Sequence, residues 1–470
     1  MEPETVISIT MVTSGVKGKK RVAVTTLGCK VNQYETAAFL SELADCKEVE
    51  IVPFGEAAEV YVINTCAVTA KAGAQSRQLI RRAAKRGGSR LVVTGCYAQV
   101  APQEVLELTA RPLCIVGNSH KNLVTEAVLA ASPCDLEMYL ADMAGCREVA
   151  PLVVRRGGSR TRAVLKVQDG CSQRCSYCIV PISRGPSRSV TPERVLDQAE
   201  IYAGQGYREV VLTGIHLGHY GLDLQPTLPL VGLLEKLLAR RLPLRYRLSS
   251  LEPREVSPEL LELVAAEAAL QPHLHIPLQS GDDRILAAMN RPYRRQDFAA
   301  VVNRCAQVLP AAAIGVDVLA GFPGEDDAAF ANTLALLKEL PVSYLHVFPY
   351  SPRPGTPAAK LPDQVPEKVK QRRAARLRNL DRQKREAFYR RHLDTVRPVL
   401  VEGGDQDAAK ALRGFTDNYI PVQLPDGAAR GNQVIRVRLS GLAEEAVQAV
   451  PVVGDDGGGD EHNGKGAGGS

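Results

Sequence analysis

The segment 167-VQDGCSQRCSYCIVP-181 decides how this chain is read. Cys171, Cys175 and Cys178 stand in Cys-x3-Cys-x2-Cys spacing directly after an apolar run, AVLKV, that reads as a strand. The triplet therefore lies on a loop at a strand's C-terminal end, where α/β barrels place their chemistry. Three thiolates on one loop can hold three irons of a 4Fe-4S cluster and leave the fourth without a protein ligand. An open position of that kind is what a substrate-binding cluster requires. Structural zinc would want four ligands in paired Cys-x2-Cys spacing, and no second pair lies nearby.

Working outward, strand-like runs AVLKVQDG, EVVLTGIHL, YRLSSL, HLHIPLQS, IGVDVLAGF and SYLHVFPYS alternate with helical segments from about Arg162 to Phe388. A repeated strand–helix unit of this length implies a closed or partly closed α/β barrel. A helix rich in Lys and Arg, from about Pro366 to His392, closes the unit. Beyond it VRPVLVEG, NYIPVQL and NQVIRVRLS alternate like the strands of a small β-barrel. Residues Gly454 to Ser470 are Gly-rich and polar and read as a disordered tail.

Before the triplet, RVAVTTLGC, AEVYVINTC, RLVVTGCYAQ and CIVGNS read as strands separated by helices, which implies a parallel sheet. Cys29, Cys66 and Cys96 each end one of these strands at a turn. The C-terminal strand ends of a parallel sheet share one edge, so three distant cysteines would meet there. That argues for a second three-Cys site. Cys46, Cys114, Cys134, Cys146 and Cys305 have no such setting and read as structural. The resulting expectation is an α/β protein: an N-terminal cluster domain at 20–133, a barrel core at 157–388, a β-barrel at 391–453 and a tail at 454–470. A linker is expected from Cys134 to Thr161.

The chain has 470 residues, is 45% hydrophobic and 23% charged, and carries a net charge of +6. No apolar run approaches the roughly 20 residues of a membrane span. The first residues lack a signal-peptide order, so no membrane association and a cytoplasmic location are expected. Eleven cysteines in that reducing setting read as metal ligands or thiols before disulfides.

The segments LGCKVNQYE, INTCAV, TGCYAQ, QDGCSQRCSYCIVPISRG, LHIPLQSGDDRILAAMNR, GFPGE and FTDNYIPV together resemble the radical S-adenosylmethionine (SAM) tRNA methylthiotransferase family. The resemblance implies an N-terminal cluster domain, a radical SAM partial (β/α) barrel core and a C-terminal β-barrel of the TRAM type. It implies two 4Fe-4S clusters, one on Cys171, Cys175 and Cys178 and one on Cys29, Cys66 and Cys96, with SAM on the first. It also implies an electron donor and a sulfur donor. By resemblance, Thr213 and Gly214 stand where the superfamily holds the methionine end of SAM, and Tyr177 borders its adenine. No catalytic residue is assigned beyond the cluster ligands. The text TLGCKVNQYET, VINTCAVTAKA and QSRQLIRRA is most like the branch that methylthiolates threonylcarbamoyladenosine at position 37, beside the anticodon. The alternatives are isopentenyladenosine in tRNA, a ribosomal-protein aspartate, or a non-enzymatic iron–sulfur carrier.

Two basic stretches suit contact with the tRNA anticodon loop. Arg77, Arg81 and Lys85 recur on one helical face. From Glu367 to Arg397 twelve Lys or Arg face four Asp or Glu. The C-terminal barrel is mildly acidic, with eight acidic and six basic residues from Asp394 to Val453. Any RNA contact there falls to Arg413, Arg436 and Arg438.

Overall fold

The computed structural model describes residues 18–86, 90–110, 112–130, 136–158, 160–403 and 412–452. Residues 1–17, Cys134 and the expected 454–470 tail lie outside the described residues.

The apolar runs of the first domain form six parallel strands: β1 (Lys20–Thr26), β2 (Val49–Val52), β3 (Val60–Thr65), β4 (Arg90–Gly95), β5 (Leu113–Val116) and β6 (Leu136–Tyr139). Their order is β2-β1-β3-β4-β5-β6. Every residue of β3 and β4 is buried, as expected of central parallel strands covered on both faces. The winding reverses between β1 and β3. In open α/β sheets that switch point, outside the carboxyl ends of the strands, is where ligands bind.

The sheet runs past the boundary expected at 133. β6 pairs with β5 inside the segment taken for a linker. Its sequence, LEMY, has no buried residue and so carries no core-facing alternation to read. An ion pair of 2.7 Å between buried Arg90 on β4 and Glu137 fastens this edge.

The second domain contributes β7 (Arg162–Lys166), β8 (Gln168–Asp169), β9 (Arg188–Ser189), β10 (Glu209–Thr213), β11 (Arg245–Leu248), β12 (His273–His275), β13 (Ala313–Ala320) and β14 (Tyr344–Pro349). β7, β10 and β11 pair in parallel, as do β12, β13 and β14. Bridges at Tyr246–Leu270 and Ser250–His275 join the two groups. The result is a six-stranded partial barrel in chain order, with no pairing of β7 to β14 among the described residues. The short β8 and β9 pair antiparallel and carry the cysteine loop between them.

The C-terminal strands β15 (Val396–Glu402), β16 (Leu412–Thr416), β17 (Pro421–Leu424), β18 (Val434–Leu442) and β19 (Val447–Pro451) close in the order β15-β16-β17-β19-β18. This is a small five-stranded barrel of the OB kind. It packs under the N-terminal ends of the core strands. Arg162 pairs with Glu402, Arg247 Nη1 donates to the Asp417 carbonyl at 2.8 Å, and Asn418 Nδ2 donates to the Ala311 carbonyl at 2.9 Å.

The first and second domains are locked by buried charge. Arg184 follows the cysteine loop on the helix Val180–Arg184 and is 1% exposed. Its guanidinium donates to Glu35 Oε1 at 3.0 Å and Asp169 Oδ1 at 2.7 Å through Nη1, and to Asn32 Oδ1 at 2.6 Å through Nη2. Asn32 and Glu35 lie on the helix Lys30–Asp45 of the first domain. Lys121 also pairs with Glu35, and Lys166 lies 3.7 Å from it. Burial would raise the Glu35 carboxyl, but Arg184, Lys121 and Lys166 outweigh it and hold it below the ordinary carboxylate range. Removing one partner of such a group leaves uncompensated buried charge. Glu35→Gln is therefore expected to cost about 3 kcal/mol or more in denaturant unfolding at neutral pH. Because the folded-state pKa is depressed, the wild-type advantage is full above the ordinary carboxylate range. It should shrink as pH falls through and below that range.

Candidate functional site

The residue before Cys29 and the residue before Cys96 are both glycines with positive φ, +97° at Gly28 and +95° at Gly95. A Cβ on Gly28 would sit 2.9 Å from both Cβ and Sγ of Cys66, and one on Gly95 would overlap the Thr65 backbone. Only glycine permits these turns, which fold the ends of β1 and β4 against the end of β3. Asn32 Nδ2 donates to the carbonyls of Leu27 and Thr65 at 2.7 and 3.0 Å, tying the first turn to the next strand end. Thr65 Oγ1 donates to the Thr94 carbonyl at 2.6 Å and ties the third. Cys29, Cys66 and Cys96 are thereby brought together at the switch point. Burial, then the neighbouring Cys96, pushes the Cys66 thiol up to about 11. Cys66 and Cys96 are buried and Cys29 is exposed; partial desolvation raises the Cys29 thiol, against the pull of Arg184.

The second group is tighter in sequence. Cys171 donates its backbone N–H to the Gly185 carbonyl at 3.0 Å, and Cys178 donates to the Cys175 carbonyl at 3.1 Å. Burial, with mutual repulsion as a lesser cause, pushes the Cys171 and Cys178 thiols up to about 12. Two flanking groups address the sulfurs. Arg291 Nη1 lies 3.2 Å from Cys175 Sγ while the same guanidinium pairs with Glu252. His216 Nδ1 lies 3.2 Å from Cys171 Sγ, and its Nε2 is taken by Glu255. Like-charged thiolates gathered in one place are stabilised by a metal cation among them, which deprotonates the ligands outright. Both donor sets fit a thiolate-bound cluster, and hydrogen bonds to the sulfurs tune its potential.

Thr213 ends β10 and is 2% exposed; Gly214 follows it. Gln168 joins this turn to the cysteine loop. Its Nε2 donates to the Asp169 and Gly170 carbonyls at 3.0 and 2.7 Å, and its Oε1 accepts from His216 N at 2.8 Å. A Cβ on Gly214 would meet Gln168 Oε1 at 2.7 Å, so glycine lets the two loops touch. Tyr177 packs edge-on to Phe322, with ring centroids 6.4 Å apart. Thr213, Gly214 and the cysteine loop thus share one end of the barrel.

Two family models match the chain: the radical SAM superfamily over residues 165–337, and uncharacterized protein family UPF0004 over residues 21–117. The chain is 38% identical to the threonylcarbamoyladenosine tRNA methylthiotransferase MtaB of Aquifex aeolicus, over 89% of this chain and 100% of that protein. The protein of that name from Bacillus subtilis is 36% identical, over 93% and 97%. The chain belongs to the radical SAM tRNA methylthiotransferase family. Membership makes it a transferase that uses SAM and 4Fe-4S clusters. The fold also matches the radical SAM methyltransferase TsrM of Kitasatospora setae at 17% identity and a TM-score of 0.53, covering 73% of this chain and 77% of that one. Among the described residues no helix is long and apolar enough to cross a membrane.

Not all the expected RNA-facing cations are equivalent. Arg81 and Lys85 are exposed, but Arg77 Nη1 donates to Tyr97 Oη at 3.0 Å and lies 3.5 Å from Glu104. On the basic helix Glu367–Arg391, Arg373 is buried against Asp327 at 2.8 Å, and Lys370 donates to the Tyr350 carbonyl at 3.2 Å. Lys384 donates to the Leu340 carbonyl at 2.7 Å. These cations fasten the helix to the barrel rather than facing solvent. Arg413, Arg436 and Arg438 are exposed on the small barrel.

On the inner face of the partial barrel, His273 and His275 are buried polar residues, and their partners could not be named from the sequence. His275 Nε2 lies 3.0 Å from Asp317 Oδ1, and His346 Nδ1 lies 3.4 Å from the same oxygen. His273 Nε2 is 2.8 Å from Tyr344 Oη. The signal was there as polar residues two apart, in HLH, RYR and YLH, since alternate strand positions face inward. Gln168→Ala is expected to destabilise the chain by about 3 kcal/mol in denaturant unfolding, because it orphans buried carbonyls and the His216 N–H together.

Proposed function

We propose that this chain converts N6-threonylcarbamoyladenosine at position 37 of tRNA to its 2-methylthio derivative. The observation that carries the reading is the gathering of two three-cysteine groups, on the two sides of one domain junction, in a chain 38% identical to a relative of that name over that relative's whole length. Cys171, Cys175 and Cys178 would hold the cluster that binds SAM; Cys29, Cys66 and Cys96 would hold the second. Bound there, the clusters and SAM would supply the one-electron chemistry that a strong aromatic C–H bond demands, together with the sulfur and methyl group to be inserted.

The chain's own residues orient these parts. Arg291 and His216 address the sulfurs of the first group, and Gly28 and Gly95 let the second close. Thr213, Gly214 and the Tyr177 backbone are assigned to SAM. Arg81, Lys85 and the unengaged cations of Glu367–Arg391 are assigned to tRNA phosphates, and Arg77 contributes with its charge partly spent on Glu104. An anticodon loop presents its base unpaired, so the base can enter the barrel. An electron donor and a sulfur donor complete the reaction.

The test is nucleoside mass spectrometry of tRNA from a strain lacking this chain. The methylthio form of threonylcarbamoyladenosine should vanish and its precursor accumulate. Persistence of that form, or loss of methylthiolated isopentenyladenosine instead, would refute the assignment. Fully reconstituted protein should hold about eight irons per chain. Gly28→Ala, which drives a Cβ into Cys66, should lower this toward about four.

A further inference from the structure

A cavity of about 420 Å³ opens where the three domains meet. Lys30, from the first domain, stands at its wall; Arg160, Arg162, Arg247 and His273 come from the core, and Tyr419 from the small barrel. Its charges are unequally matched. Arg162 is taken by Glu402, the only carboxylate among the described residues that line the cavity. Arg247 is taken by Glu209, with Nε 2.9 Å from Oε1. Lys30 and Arg160 have no ion-pair partner among the described residues. Lys30, exposed at the wall, shares this cavity with Arg160, Arg162 and Arg247, and it feels the charges of Arg162 and Arg247 and, against them, that of Asp317. Four cations on one cavity, with Arg162 and Arg247 already paired and Lys30 and Arg160 not, suit the space to an anion.

The place of Lys30 narrows the choice of anion, since it directly follows Cys29. Resting on the substrate assignment above, the reactive carbon of the base must approach the Cys29, Cys66 and Cys96 group. In adenine, C2 and C6 flank the same ring nitrogen. A group on N6 therefore projects from the edge that bears C2, toward whatever neighbours that cysteine site. The threonylcarbamoyl group ends in a free carboxylate, whereas an isopentenyl group is neutral and apolar and would leave the cations unmatched. We propose that Lys30, supported by Arg160, Arg162 and Arg247, forms the subsite that binds the threonine carboxylate of the modified base. This makes Lys30 a specificity-determining residue. An RNA phosphate is the other anion of suitable chemistry, and a groove carrying Arg156 and Arg160 adjoins the cavity.

The test measures binding, not turnover. Full-length protein with both clusters reconstituted is titrated with an anticodon stem-loop carrying threonylcarbamoyladenosine, and with the same RNA as its threonine methyl ester. Wild type should prefer the acid by about tenfold, the worth of one charge-assisted hydrogen bond. Lys30→Gln should bind acid and ester alike, and Lys30→Arg should restore most of the preference. The proposal is overturned if wild type does not distinguish the two, or if Lys30→Gln keeps the full acid preference. It is equally overturned if Lys30→Gln weakens both RNAs by the same factor, which marks a phosphate contact. Failure of the substrate assignment would look different. Wild type would then bind an isopentenyladenosine stem-loop more tightly than either, and both readings would fall.

Discussion

Arg184 is a guanidinium with almost no access to water, and the architecture depends on what surrounds it. Taking such a charge out of solvent is costly unless its donors are satisfied. Burial opposes the charge, but Asp169 and Glu35 outweigh it. Those partners come from different domains. Glu35 sits six residues after Cys29, and Arg184 sits six residues after Cys178. One ion group therefore fixes the helix that follows the first cysteine site against the helix that follows the second. The Arg184 charge is felt at Cys29 and Cys96 themselves. Two chemistries that must meet on one base are held in register by a contact that neither cysteine group supplies alone.

The rest of the site follows from strand ends. Parallel sheets deliver their C-terminal ends to one edge, and both cysteine groups use that edge in their own domains. Glycines at 28, 95 and 214 then permit approaches that any side chain would block. The barrel's inner face is polar, from Arg162 through Arg247 and His273 to Asp317 and His346.

Much of this was legible in the sequence, for physical reasons. Cys171, Cys175 and Cys178 are close along the chain, so spacing alone placed them. Cys29, Cys66 and Cys96 were legible because each ends an apolar strand, and parallel topology does the gathering. Edge strands were not. β6 is too exposed to show alternation, and β2 at the opposite edge is four residues long with only its ends buried. The partnering of Lys370, Arg373 and Lys384 was equally hidden, since a charge count on a helix says nothing of which face meets the barrel. The cavity around Lys30 draws on all three domains, and no local pattern encodes that meeting.

The central claim is that two separately held clusters serve one reaction. The most direct measurement uses the full chain with Cys29, Cys66 and Cys96 all replaced by Ala. It reads iron content, 5′-deoxyadenosine formation and tRNA methylthiolation on the same preparation. The account predicts about four irons per chain, continued 5′-deoxyadenosine formation and unmodified tRNA. Iron near eight with methylthiolation intact, or loss of 5′-deoxyadenosine formation along with it, would contradict the account.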